Sequence, residues 1–219
     1  MARHRLAAAI MTACGLSAAA AGWLLPTASQ PRPVNAGFLP PDTHRPAADT
    51  GADASPPTHI RGPKDFEAAV VPVAATGNGA LALPEDPRTG GWWPLGATVG
   101  SRRGTVLIAG HVDTRRHGFG PFAALHDMPL GARIEVVGAD DHIRAYRITA
   151  RRTYPQEKLP TDLFTRSGTH RLALITCTGP YDRTTSRYQQ NLVLYGTPIA
   201  PDGRVAHRET GTRGPEQPR

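Results

Sequence analysis

The sequence predicts a mainly β domain, a barrel or sandwich of short strands, set between two polar flanks behind an apolar N-terminus. Three observations carry that reading. From about residue 60 to residue 200 short apolar runs recur, at 68–73, 80–83, 105–109, 134–137, 143–149, 172–176 and 192–195, most of four to seven residues and bearing Val, Ile, Leu or Tyr. Gly, Pro or Asp separates them, which is the punctuation of a fold with many strands. None carries a sustained 3.6-residue stripe, although PFAALHDM at 121–128 could form a short helix.

Taken in order, the chain begins with Arg3-His4-Arg5 ahead of an uncharged stretch of 20 residues, 6–25, that ends in Trp23-Leu24-Leu25. About 20 apolar residues cross a bilayer, and the positive flank predicts a cytoplasmic N-terminus with Trp23 at the far interface. Residues 1–25 are therefore expected to be a signal anchor or transmembrane segment. A cleaved signal peptide is the alternative, because the small residues 18–21 offer a cleavage site. The apolar run continues past them, which favours the anchor. Either way the rest of the chain is expected outside the cytoplasm. Residues 26–59 hold Pro, Ala, Thr and Asp without apolar periodicity, so they read as a disordered tether that gives the domain reach. Residues 201–219 read as a tail of the same kind. The folded domain is expected over 60–200.

The formal charge of +7 permits anionic partners. Nucleic acid is not among those expected: the arginines are scattered and no RNA- or DNA-binding pattern is present. An anionic cell envelope suits an exported chain better. Only two cysteines occur, Cys14 and Cys177, so there is no disulfide framework and no Cys-rich zinc site. Beyond the apolar segment Cys177 stands alone. An unpaired thiol in an exported protein is a hazard unless it is buried or used.

Cys177 follows the apolar run at 172–176 and precedes Thr178-Gly179-Pro180, which predicts a strand ending at the cysteine. His111 stands in the same way at the end of the run at 105–109, with Gly110 allowing a sharp turn. Arg187 lies ten residues past the cysteine. Each has a bland reading: a solvated histidine, a small buried cysteine, a loop cation. Together they match the needs of acyl transfer through a thioester. The thiol needs an imidazole to take its proton, and the oxyanion that forms is stabilised by a guanidinium.

The ordered motifs resemble those of a known family. ALALPEDPRTGGWWPLGATVG at 80–100, GTVLIAGHVDT at 104–114, LALITCTG at 172–179 and YDRTTSRYQQNLVLYG at 181–196 are similar to sortases, specifically the actinobacterial class F. The histidine stands 66 residues before the cysteine. The resemblance implies a closed eight-stranded β-barrel and a cysteine transpeptidase of Gram-positive cell surfaces. By that pattern Cys177 attacks a sorting signal like Leu-Pro-x-Thr-Gly near the C-terminus of an exported protein, and His111 moves protons to and from the amines. The acceptor is an amine, normally of a peptidoglycan precursor, and no metal, nucleotide or other cofactor is needed. In many members the arginine opens the last strand, where this chain has Asn191. Arg187 is the first choice here and Arg183 the second. The chain also has TCTG where the class usually shows TCGG.

Two further features carry open readings. Trp92-Trp93 could pack in the core or line a groove, and Asp113 could support the imidazole of His111 if it shares its face. Outside the resemblance, two rivals remain: an exported β-domain that binds envelope material with an idle thiol, and a hydrolase that resolves the thioester with water. Papain-like enzymes place the cysteine before the histidine, and the order here is the reverse.

Overall fold

The computed structural model describes residues 35–39, 53–77 and 80–200. In order they form β1 (Ala36–Gly37), β2 (Pro57–Gly62), β3 (Phe66–Pro72), β4 (Thr89–Trp92), β5 (Thr105–Ala109), β6 (Asp113–Thr114) and β7 (Gly118–Phe119). A 3₁₀ helix (Pro121–Asp127), β8 (Arg133–Gly138), β9 (Ile143–Pro155), a second 3₁₀ helix (Thr161–Phe164), β10 (Arg171–Asp182) and β11 (Arg187–Pro198) complete them. Among the described residues eight strands close into a barrel. The circuit runs β9-β11-β10-β5-β4-β3-β2-β8, and β8 pairs back onto β9. Closure removes the exposed edges that an open sheet presents. β1 extends one side of β9, with Ala36 opposite Arg151 and Gly37 opposite Ala150.

Over residues 106–109, 172–175 and 192–195 the central strands are apolar at every position because both of their faces are covered. Val106, Ile108, Leu172, Leu174, Leu192 and Leu194 belong to the main core inside the barrel. Their alternates Leu107, Ala109, Ala173, Ile175, Val193 and Tyr195 form a second cluster on the outer face. Leu163 of the second 3₁₀ helix completes that cluster, with Leu81, Leu83, Leu159 and Phe164 packed against it. Each buried Leu or Ile contributes about 1.5–3 kcal/mol. The outer layer therefore adds a second source of stability to the strands that carry His111 and Cys177.

Several boundaries differ from those expected. The apolar run at 80–83 is no strand; it meets the fold through a single bridge, Ala75 to Leu81, and covers the outer cluster. The folded domain starts before residue 60, because β2 opens at Pro57 and Ile60 is completely buried. Proline is tolerated as the first residue of a strand, where its missing N–H breaks no ladder. Part of the expected tether thus belongs to the sheet, as does β1. The expected anchor at 1–25, most of 26–59 and the tail at 201–219 lie outside the described residues. Among those described, no helix is long and apolar enough to cross a membrane. The predicted helix at 121–128 is the 3₁₀ turn Pro121–Asp127, which buries Phe122 and Leu125.

Candidate active site

β5 and β10 run parallel, with Ala109 beside Ile175. The pairing continues one step further: the Gly110 N–H donates to the Ile175 carbonyl (3.0 Å) and the Thr176 hydroxyl to the Gly110 carbonyl (2.9 Å). His111 and Cys177 come next along each chain segment, so they stand as neighbours. The period of two places both on the outer face, in line with Ala109 and Ile175. Gly110 is required by close packing, since a Cβ there would lie 2.2 Å from the Phe122 ring.

β10 does not stop at Cys177. It continues to Asp182, and a bulge between Thr178 and Tyr181 absorbs the residues expected to end it. Gly179 takes φ +79°, open to glycine at little cost, and Pro180 sits where no ladder N–H is needed. β10 and β11 consequently form a long hairpin that rises past the cysteine, and Arg187 is the first residue of β11, not a loop residue. Asn191 stands directly opposite Cys177 and Arg187 four residues before it, on the same face by parity. Asn191 is buried and its amide donates to the Gln156 carbonyl (3.0 Å). The position opposite the cysteine therefore holds the end of β9 in place, and Arg187 stands one pair of alternates before it on the same strand.

A ring of hydrogen bonds surrounds the three predicted residues. The Tyr188 hydroxyl donates to Asp113 Oδ2 (3.1 Å). Asp113 therefore shares the cleft with His111 but is engaged by Tyr188. His126 Nδ1 donates to the Ala123 carbonyl (3.1 Å), which leaves Nε2 to accept from the Thr178 hydroxyl (3.1 Å). That bond ties the residue after the cysteine to the first 3₁₀ helix. Burial first, and the Asp113 carboxylate second, push the Cys177 thiol above its ordinary value, so it rests protonated. The roles of His126, Tyr188 and Gln156 could not be read beforehand, because each is set by a partner more than 30 residues away.

Cys177 is half-buried at the meeting of two clefts. One, of about 570 Å³, is walled by Leu81, Leu83, Leu159, Phe164 and Ile175. The other, of about 760 Å³, is walled by His111, Asp113, Arg115, Arg183 and Tyr188. Cys177, Arg187 and Gln156 line both. His111, Cys177 and Arg187 are thus brought together, and Arg183 lies in the same cleft. Both tryptophans pack, and neither lines these two clefts: Trp92 is in the barrel core and donates to the Ala97 carbonyl (3.2 Å), whereas Trp93 packs edge-on against Phe164 in the outer layer.

Comparison with known proteins bears on the fold and the family. The family model for the Sortase domain matches residues 65–199. No curated protein matches. Among solved structures, Streptococcus agalactiae sortase C1 in complex with MTSET is similar at a TM-score of 0.50 and 19% identity, over 65% of this chain and 68% of that one. Sortase A from Corynebacterium diphtheriae is similar at a TM-score of 0.51 and 19% identity, over 70% of this chain and 65% of that one. Sortase C-1 from Streptococcus pneumoniae gives a TM-score of 0.51 and 18% identity, over 71% and 74%. At such identities the likeness shows the shared fold, and the family match covers well over half of the chain. The chain belongs to the sortase family of cysteine transpeptidases.

Proposed function

We propose that this protein is a class F-type sortase that cleaves a Leu-Pro-x-Thr-Gly-like signal on exported proteins and transfers the acyl part to a cell-envelope amine. The observation that carries this reading is the placement of Cys177 and His111 as neighbours on parallel strands, in a cleft shared with Arg187. The class rests on the ordered motifs around His111 and Cys177. Attachment by a single-pass N-terminal anchor, with the catalytic domain outside the cell, rests on the 20 uncharged residues behind Arg3-His4-Arg5.

The chemistry follows from the site. Cys177 rests as a thiol, so its proton moves to His111 as sulfur attacks the threonine carbonyl carbon. The oxyanion develops beside Arg187, whose guanidinium stabilises it without reorganisation at the moment of reaction. Protonated His111 gives its proton to the departing glycine amine, and the C–N bond breaks to leave a thioester on Cys177. An incoming neutral amine then attacks that carbonyl, its proton passes through His111 to the sulfur, and the C–S bond breaks. The apolar cleft offers surface for the Leu and Pro of the signal.

The test incubates the protein with a panel of Leu-Pro-x-Thr-Gly peptides, with and without an added amine, and reads intact mass. A thioester on Cys177 and an amine-exchanged product are expected. Folded, reduced protein that gives neither across the panel refutes the reading. An idle, buried thiol predicts in addition that a thiol reagent leaves Cys177 unmodified. Exclusive hydrolysis with amine present would point to the hydrolase instead.

A further inference from the structure

We infer that the arginine-lined cleft is the acceptor site, and that it selects an amine carried by an amino acid with a free carboxylate. The inference rests on the reading above and adds the chemical class of the second substrate. Its first support is that His111 lines this cleft and not the apolar one. The residue that passes protons to and from amines therefore faces this side, so the leaving amine departs here and the entering amine arrives here.

The second support is charge. Arg115, Arg183 and Arg187 line the cleft, against one carboxylate, Asp113, which gives three positive groups to one negative. Asp113 already accepts from the Tyr188 hydroxyl. Among the described residues no carboxylate pairs with any of the three arginines: the nearby Asp182 instead accepts from the Thr184 N–H inside the hairpin. A cleft of this kind repels a bare ammonium ion. It holds a carboxylate through charge-assisted, bidentate bonds and thereby brings in the amine attached to it. It also favours the neutral amine, which is the form that attacks the thioester.

The third support is the position of Arg115. Its guanidinium reaches from the segment after His111 to the hairpin tip, where it donates to Ser186 Oγ (3.0 Å). That bond uses one of its five N–H donors. That exposed bond places the guanidinium across the cleft with its other donors open to an anion. In the reaction the amine nitrogen forms the new amide bond as the C–S bond breaks. The amine proton returns to the Cys177 sulfur through His111, so nothing beyond the two substrates is consumed.

The test uses the full chain and two matched acceptor pairs: glycylglycine against glycylglycinamide, and Nα-acetyl-lysine against Nα-acetyl-lysinamide. The thioester formed with the signal peptide alone is recorded first, and the ratio of transfer rates within each pair is then measured. The carboxylate member of at least one pair is expected to react about 3–10-fold faster, the range for a partly exposed charged hydrogen bond. The ratio should fall toward one in Arg115→Gln, persist in part in Arg115→Lys, and decline with added salt in the unsubstituted chain. Because each ratio is taken within one protein, a loss in the first half-reaction cancels. Equal use of both members in the unsubstituted chain overturns the inference, as does a preference that survives Arg115→Gln unchanged. If no thioester forms at all, the sorting-signal reading fails first and the acceptor inference falls with it.

Discussion

Arg171, at the start of β10, is buried and fully engaged: it donates to Thr105 Oγ1 and the Asp162 carbonyl (both 3.0 Å), pairs with Asp162 Oδ2 (2.8 Å) and lies over the Tyr195 ring. His170 beside it donates from Nδ1 to the Arg103 carbonyl and accepts from the Tyr146 hydroxyl (3.0 Å), and burial lowers its pKa so that it stays neutral. Near the other end of the same strand the pattern inverts. The bonds there join the surrounding residues, Tyr188 to Asp113, Thr178 to His126 and Asn191 to Gln156. Among the described residues the side chains of His111, Cys177 and Arg187 have no hydrogen-bond partner. One end is closed, with His170 and Arg171 bonded internally, and that serves stability. The other is held rigid by its neighbours while its reactive groups keep their bonding capacity for a substrate.

Five substitutions break or sharpen that contrast. Cys177→Ala should abolish the thioester entirely, while urea unfolding changes by no more than about 1 kcal/mol, since the thiol is outside the core. Arg187→Ala should slow acyl-enzyme formation about 10²–10³-fold, the scale for loss of an oxyanion partner, with the urea midpoint unchanged. Arg183→Ala should cost less, and equal modest losses for the two would contradict the choice of Arg187. Arg171→Ala should act in the opposite sense, lowering stability by about 1.5–3 kcal/mol because the buried Thr105 Oγ1 and the Asp162 carbonyl lose a charged hydrogen-bond donor. The smallest effect is expected of Asp113→Asn, read as the pH dependence of Cys177 alkylation. The carboxylate opposes formation of the thiolate, so its removal should move the midpoint down. Burial, the larger cause, persists, and the midpoint should stay above that of an exposed thiol.

Much of this was legible from local pattern. Cys177 and His111 could be found because each follows an apolar run that forms a strand, and strand parity then puts both on one face. The barrel strands of the C-terminal half were visible for the same reason. β4 was not, because its sequence, TGGW, has two glycines and little β-propensity, and it exists through its neighbours β3 and β5. The continuation of β10 past Pro180 was hidden because a bulge is a property of the paired strand, not of the residues that enter it. Arg187 as the first residue of β11 was hidden with it. Arg115 gave no signal at all, since its place depends on the hairpin tip 71 residues away.

The parallel pairing of β5 with β10 also governs when the site can exist. Local hairpins of the chain close short loops, but these two strands pair across all of β6 to β9, of which β8 and β9 belong to the barrel and β6 and β7 pair only with each other. Closing so long a loop carries a large entropic cost before any contact is made, so this pairing belongs to the slow steps of folding. Until it forms, Cys177 and His111 are separated along an open chain and the thiol behaves as any free cysteine does. Reactivity at Cys177 is thus acquired with this pairing. Acquisition of thioester-forming activity can therefore serve as a clock for this pairing.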